Sequence, residues 1–167
     1  MPGMNDRFQS QGLSLACHIA HPSDDAQPSP GIILCHGFPI GPLDAQLSAG
    51  TFPQLIDRIS RQLDCVAMTF NFRGCGESAG NFSLQGWVDD LRNAIAHLRK
   101  VSNPNGVILL GTNTGGSIAV CVGADDPNVT AVGLLSPRAD FDDWADHPRR
   151  FLEHARELGA IKDPRFP

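Results

Sequence analysis

Positive charge is scarce in this chain of 167 residues, with 13 Lys and Arg against 18 Asp and Glu and a formal net charge of −5. Without a basic excess there is no electrostatic footprint for nucleic acid or for an anionic membrane surface, and neither is expected as a partner. Long apolar runs are missing too, and none approaches the roughly 20 residues that a membrane span requires. The opening Met1-Pro-Gly-Met-Asn-Asp-Arg7 is polar and has no apolar h-region. A secretory leader is therefore not expected, and a cytoplasmic location is. The five cysteines (Cys17, Cys35, Cys65, Cys75 and Cys121) are odd in number and form no C-x-x-C pair. Three lie inside apolar runs, where a thiol behaves as a small buried hydrophobe, so unpaired structural cysteines are expected. The six histidines are scattered. His18 and His21 are three apart, which on a strand points them to opposite faces and argues against a metal pair. Neither a metal nor another cofactor is expected. There is no internal repeat and no low-complexity tract.

Hydrophobic residues make up 41% of the chain and charged residues 19%. That balance suits one soluble domain over residues 1–167, able to bury roughly 70% of its unfolded surface. Apolar runs alternate with helical patterns, as in repeated βα units around a mostly parallel sheet. Strands are expected at Leu13–His21 near the sheet edge, Gly31–Cys35, Cys65–Phe70, Val107–Leu110 and Val129–Leu135. The Pro- and Ser-rich stretch Pro22–Pro30 reads as a loop, and so does the Gly/Pro segment from His36 to about Gly50. Helical spacing of Phe52, Leu55, Ile56 and Ile59 predicts a helix over 51–63, with Thr51 as N-cap. A longer amphipathic helix is expected from Ser83 to Val101, with Trp87, Leu91, Ala94, Ile95 and Leu98 along one stripe. Residues 140–167 form a charged tail, helical from Asp140 to Leu158 and broken by Pro148, that could begin a cap.

The chemistry centres on Val107-Ile-Leu-Leu-Gly111-Thr-Asn113-Thr-Gly115-Gly116. A buried strand turns there directly into a helix of small residues. The two elements approach so closely that side chains at Gly111 and Gly115 would collide. Position 113 must then project from the top of the sheet, with φ > 0. Asparagine tolerates that conformation better than other non-glycine residues, so Asn113 also reads simply as a turn residue.

This segment resembles the nucleophile elbow G-x-S-x-G-G of the α/β-hydrolase superfamily, with Asn113 in place of the serine. Two more segments match in register: Ile32-Ile-Leu-Cys-His36-Gly37-Phe38-Pro39 and Phe72-Arg73-Gly74-Cys-Gly76-Glu-Ser78. Together they resemble the bacterial serine-peptidase and acyl-peptide-hydrolase-like esterase branch over residues 13–158. The resemblance implies an α/β-hydrolase-type, mostly parallel sheet with helices on both faces. It also implies an oxyanion hole from the backbone N–H groups of Phe38 and Thr114. In that family the acid and histidine of the triad follow the nucleophile on later strands. No further strand is expected after Val129–Leu135, so the fold is read as lacking its last strands, and His147 and His154 do not match the family's catalytic histidine.

An asparagine amide is a very poor nucleophile and no base is placed to activate it. A hydrolase-family protein with impaired catalysis is therefore expected, its cleft open to a small acyl compound or a peptide. The elbow aims only its centre into the cleft, which leaves Thr112, Thr114 and Ser117 out of the chemistry. His36 reads as a loop-shaping residue in preference to a base, Arg73 and Ser78 as organisers of their loop, and Cys75 as a residue that loop could expose. The alternatives are a non-enzymatic interaction protein and the N-terminal part of a split hydrolase. In either, Val129–Leu135 would be an apolar open edge, covered by a second copy, by a complementing partner, or by the tail through Phe141, Trp144, Phe151 and Leu152. A nucleotide-binding reading rests on Gly74-Cys-Gly76-Glu-Ser-Ala79, which fits G-x-G-x-x-[GA]. It is weakened by the late helix start near Ser83 and by the missing ribose-binding acid after Val107–Leu110.

Overall fold

Six strands form one mixed sheet in the order β1-β2-β4-β3-β5-β6, with helices on both faces. The computed structural model describes residues 4–24, 27–41 and 44–166. The strands are β1 (Asp6–Ser10), β2 (Leu13–Ala20), β3 (Gly31–Cys35), β4 (Ala67–Phe70), β5 (Val107–Thr112) and β6 (Val129–Leu135). β1 and β2 pair antiparallel, as do β2 and β4. β4, β3, β5 and β6 run parallel to their neighbours.

The continuous apolar run of β3 is explained by burial on both faces, since all five of its residues are buried. Successive side chains alternate between those faces. Ile32 and Leu34 pack with Ile56 and Ala67 under α1 (Asp44–Leu63). Ile33 and Cys35 join Met68, Phe70 and Leu109 on the opposite face, under α2 (Leu84–Ser102) and α3 (Asn113–Asp125). The apolar stripe of α2 is buried as expected, with Trp87, Leu91, Ala94 and Leu98 fully enclosed. Ser83 caps that helix by accepting a hydrogen bond from the Gly86 N–H.

Two expectations are corrected and one strand is added. α1 starts at Asp44, so Thr51 is not its N-cap and Pro53 lies inside the helix. The later start was expected because Thr51 suits an N-cap and the regular apolar spacing begins at Phe52. The polar segment at 6–10 is a strand: Gln11 (φ 50°) and Gly12 (φ 80°) make the tight turn that pairs it with β2. β1 is therefore the sheet edge, and β2 lies beside it, near the edge as expected. Finally, the tail does not fold back over β6. α4 (Asp142–Asp146) and α5 (Pro148–Glu157) pack on the loop that follows β4. There the Phe82 N–H donates to Ala160 O (2.8 Å) and the Lys162 N–H to Asn81 Oδ1 (2.7 Å). Phe38, Phe82, Trp144 and Phe151 form one aromatic cluster that offers a better apolar seat than a flat strand edge.

β6 is the other sheet edge, with α3 packed against Val132 on one face and with Leu134 and Leu135 exposed. Among the described residues no helix is long and apolar enough to cross a membrane. The loop at 22–30 includes residues 25 and 26, and the loop after His36 includes 42 and 43; these four, with 1–3 and 167, lie outside the described residues.

Candidate functional site

β5 passes into α3 with no intervening residue: Thr112 ends the strand and Asn113 begins the helix. The glycines around that junction are demanded by contact. A Cβ on Gly115 would lie 2.1 Å from His36 O, and one on Gly111 would lie 2.5 Å from Gly116 Cα. Both are far inside van der Waals contact, so the β5–α3 turn and the loop after β3 can approach only with these residues bare. Gly37 has the same role toward the centre of the turn, where its Cβ would meet Asn113 Cβ at 2.7 Å.

Asn113 has φ 49°, in the left-handed region. Its side chain lines a cleft of about 240 Å³ together with His36, Gly37, Phe38, Asn71 and Cys75. The Asn113 amide is already engaged. Its Oδ1 accepts from the Thr114 N–H at 2.6 Å and from the Thr114 hydroxyl at 3.0 Å. Thr114 is fully buried, which leaves no solvent to compete for those donors. Ser117 turns away and donates to Arg138 O at 2.7 Å. The Phe38 ring packs in the aromatic cluster with Phe82, Trp144 and Phe151, and the residue also lines the cleft.

His36 is the histidine of the cleft, and both its ring nitrogens are committed to the backbone. Nδ1 donates to Gly37 O at 2.7 Å, and Nε2 accepts from the Phe72 N–H at 3.1 Å. These partners assign the neutral Nδ1–H tautomer. Burial holds its pKa below the usual imidazole value of 6.5, against the smaller opposing effect of the Gly37 carbonyl. The ring ties the loop after β3 to the one after β4. His147 and His154 line a different groove of about 520 Å³ on α4 and α5, which shares no lining residue with the Asn113 cleft.

Residues 71–82 owe their shape to bonds within the loop and to β1, β2 and α2. Asp90, fully buried, accepts from Arg73 Nη2 at 2.8 Å, from the Arg73 N–H at 2.9 Å and from Ser10 Oγ at 2.6 Å. Ser78 Oγ donates to Asn71 O and accepts from the Ala16 N–H. Gly74 (φ 81°) and Gly76 (φ 49°) supply turn conformations, and a Cβ on Gly74 would strike Ala160 O at 2.3 Å. The Gly-x-Gly spacing thus has a folding reason, and the nearest helix N-terminus is capped by Ser83. Cys75 is buried, not exposed as that loop suggested. Burial pushes its thiol up to about 12, and burial assisted by Asp6 does the same for Cys17. All five cysteines are unpaired.

The model of a family described as "Alpha/beta hydrolase family" matches residues 32–167. "Uncharacterized protein YfhR" of Salmonella typhimurium is 36% identical over 90 residues, covering 46% of this chain and 31% of that protein. Among solved structures, the alpha/beta hydrolase GrgF of Penicillium sp. sh18 superposes with a TM-score of 0.71 at 21% identity, covering 93% of this chain and 53% of its own. Est1E of Butyrivibrio proteoclasticus, solved with ferulic acid bound, gives 0.66 at 17% identity, covering 96% of this chain and 61% of its own. The chain therefore spans about a third of the length of its relative YfhR, and somewhat over half the length of these two structures.

Proposed function

Since this chain belongs to the alpha/beta hydrolase family, we propose that it retains a hydrolase-type cleft, of serine ester or peptide hydrolase ancestry, that does not turn substrate over. Serine hydrolysis needs an attacking oxygen, a base for its proton, and donors for the developing oxyanion. At the attacking position stands Asn113, whose amide nitrogen shares its lone pair with the carbonyl and yields no proton at neutral pH. The neighbouring histidine cannot act as base, because both nitrogens of His36 are bonded to backbone. The observation that supports this reading is the 2.6 Å hydrogen bond from the Thr114 N–H to Asn113 Oδ1, which engages one of the two donors expected to hold an oxyanion.

A cleft without turnover still binds. Its volume and mostly apolar walls suit a small acyl compound or a short peptide, and Est1E, similar in fold, was solved with ferulic acid, an aromatic carboxylic acid. The test is Asn113→Ser, assayed with a p-nitrophenyl ester. The variant is expected to stay at background, because a serine alone gains no base and no triad acid. Ester turnover restored by that single change would overturn the reading.

A second reading, an interaction protein or one part of a split hydrolase, is supported by β6. Leu134 and Leu135 are exposed on this open edge, 44% and 70% respectively, and an edge of this kind pairs readily with another chain.

A further inference from the structure

The opposite end of the sheet holds a group of side chains that the cleft does not use. β1 pairs with β2 so that Asp6 stands directly opposite Cys17, and cross-strand partners project from the same face. α2 covers that face. Phe8, two residues along β1 from Asp6, is buried there and stacks on the His97 ring, with centroids 5.4 Å apart and 22° between the planes. The stack orients an imidazole from α2 over the strand pair.

One ligand atom from each of Asp6, Cys17 and His97 lies within 4.8 Å of the other two. His97 Nε2 is 3.8 Å from Asp6 Oδ2, too far for a hydrogen bond, and is buried with no hydrogen-bond partner. Such a nitrogen has lost its hydration with no bond in return, so a buried orphan calls for an explanation. Asp6 Oδ1 is taken by the Arg7 N–H, which leaves Oδ2 turned to the ring. Cys17 is fully buried, so its sulfur cannot meet a substrate and is not placed for thiol chemistry.

We propose that Asp6, Cys17 and His97 bind a divalent transition-metal ion, of which zinc suits the donors best. Thiolate, imidazole and carboxylate together select zinc over magnesium or calcium, which prefer oxygen alone. Around a tetrahedral ion such ligand atoms stand about 3.3–3.7 Å apart. The three ligand atoms lie within 4.8 Å of one another, so modest side-chain adjustments bring them to that spacing, the exposed Asp6 being the freest to move. Water takes the fourth position on that open side. The ion clips the edge hairpin β1–β2 onto α2, and β4 and β3 separate it from the β5 elbow. It is a stabilising site with no part in the cleft.

The test is titration of the chelator-treated full chain with Co²⁺, followed by absorption. The expected result is saturation at a single equivalent, with the visible bands of tetrahedral cobalt and a near-ultraviolet thiolate charge-transfer band. Zn²⁺ should displace the colour and raise the melting temperature. Cys17→Ser should abolish the charge-transfer band. Asp6→Asn, an exposed change that spares the core, should weaken Co²⁺ binding about tenfold or more, since losing even a ligand's supporting contact costs about 10–100-fold. A wild-type chain that shows no thiolate band overturns the proposal. So does a band that survives Cys17→Ser, which would place the metal on the exposed Cys121, or unchanged affinity in Asp6→Asn. If Cys17→Ser fails to fold, the wild-type spectrum and Asp6→Asn decide.

Discussion

At the scale of single residues, His36 shows most clearly how a group that resembles a catalytic one is made structural. Buried and neutral, it bridges two loops through both nitrogens, and its pKa lies below 6.5 in the folded chain. Between that depressed value and 6.5 the unfolded chain binds a proton that the folded chain does not, so stability rises with pH there. The contribution is complete above about pH 6.5 and is lost as the pH falls toward the folded-state value, at up to about 1.4 kcal/mol per pH unit. Urea midpoints measured between about pH 7.5 and 5 should show this decline in the wild type and a shallower one in His36→Gln. A full wild-type slope in His36→Gln would mean that other groups titrate. His36 was legible as a shaping residue because it precedes Gly37 at a strand end. That Asn113 would bond its neighbour's amide was not legible, since the rotamer depends on how deeply Thr114 is buried.

At the scale of elements, the β5–α3 junction was the most readable part of the sequence. Glycine spacing around position 113 has a single steric meaning, and the structure supplies the contacts that enforce it. Gly115→Ala should destabilise the chain by about 3 kcal/mol, because its methyl meets the His36 carbonyl, which cannot swing away as a side chain could. Chemical denaturation measures this directly, and a loss below about 1 kcal/mol would show that the two loops can separate at small cost. β1 was illegible because Phe8 and Ser10 are its buried residues and only Phe8 is apolar. The start of α1 was hidden because the regular apolar spacing begins only at Phe52, directly after Thr51, a residue type that suits an N-cap. The site at Asp6, Cys17 and His97 was invisible for another reason. Its members come from three elements and share no spacing in the chain, so only the β1–β2 register and the seating of α2 bring them together.

At the scale of the whole molecule, the sheet is covered on both faces at β3 and β4, and its two edges differ. β1 is short and polar, whereas β6 presents Leu134 and Leu135 to solvent with no lysine or proline to blunt it. The chain is expected to self-associate at micromolar concentration through this strand, and Leu135→Lys should reduce that association. Light scattering distinguishes the outcomes, and a monodisperse monomer with β6 uncovered would contradict the expectation. The tail does not lie over β6, since Trp144 and Phe151 are already committed to Phe38 and Phe82.

The central claim, a hydrolase-type cleft without hydrolysis, is tested most directly by one assay of the wild-type chain. Purified protein is mixed with a p-nitrophenyl ester over a range of protein concentrations, beside Asn113→Ala. Release of p-nitrophenol at the buffer rate, the same for both proteins, is the predicted result. Release that scales with wild-type protein and falls in the Asn113 variant would contradict it.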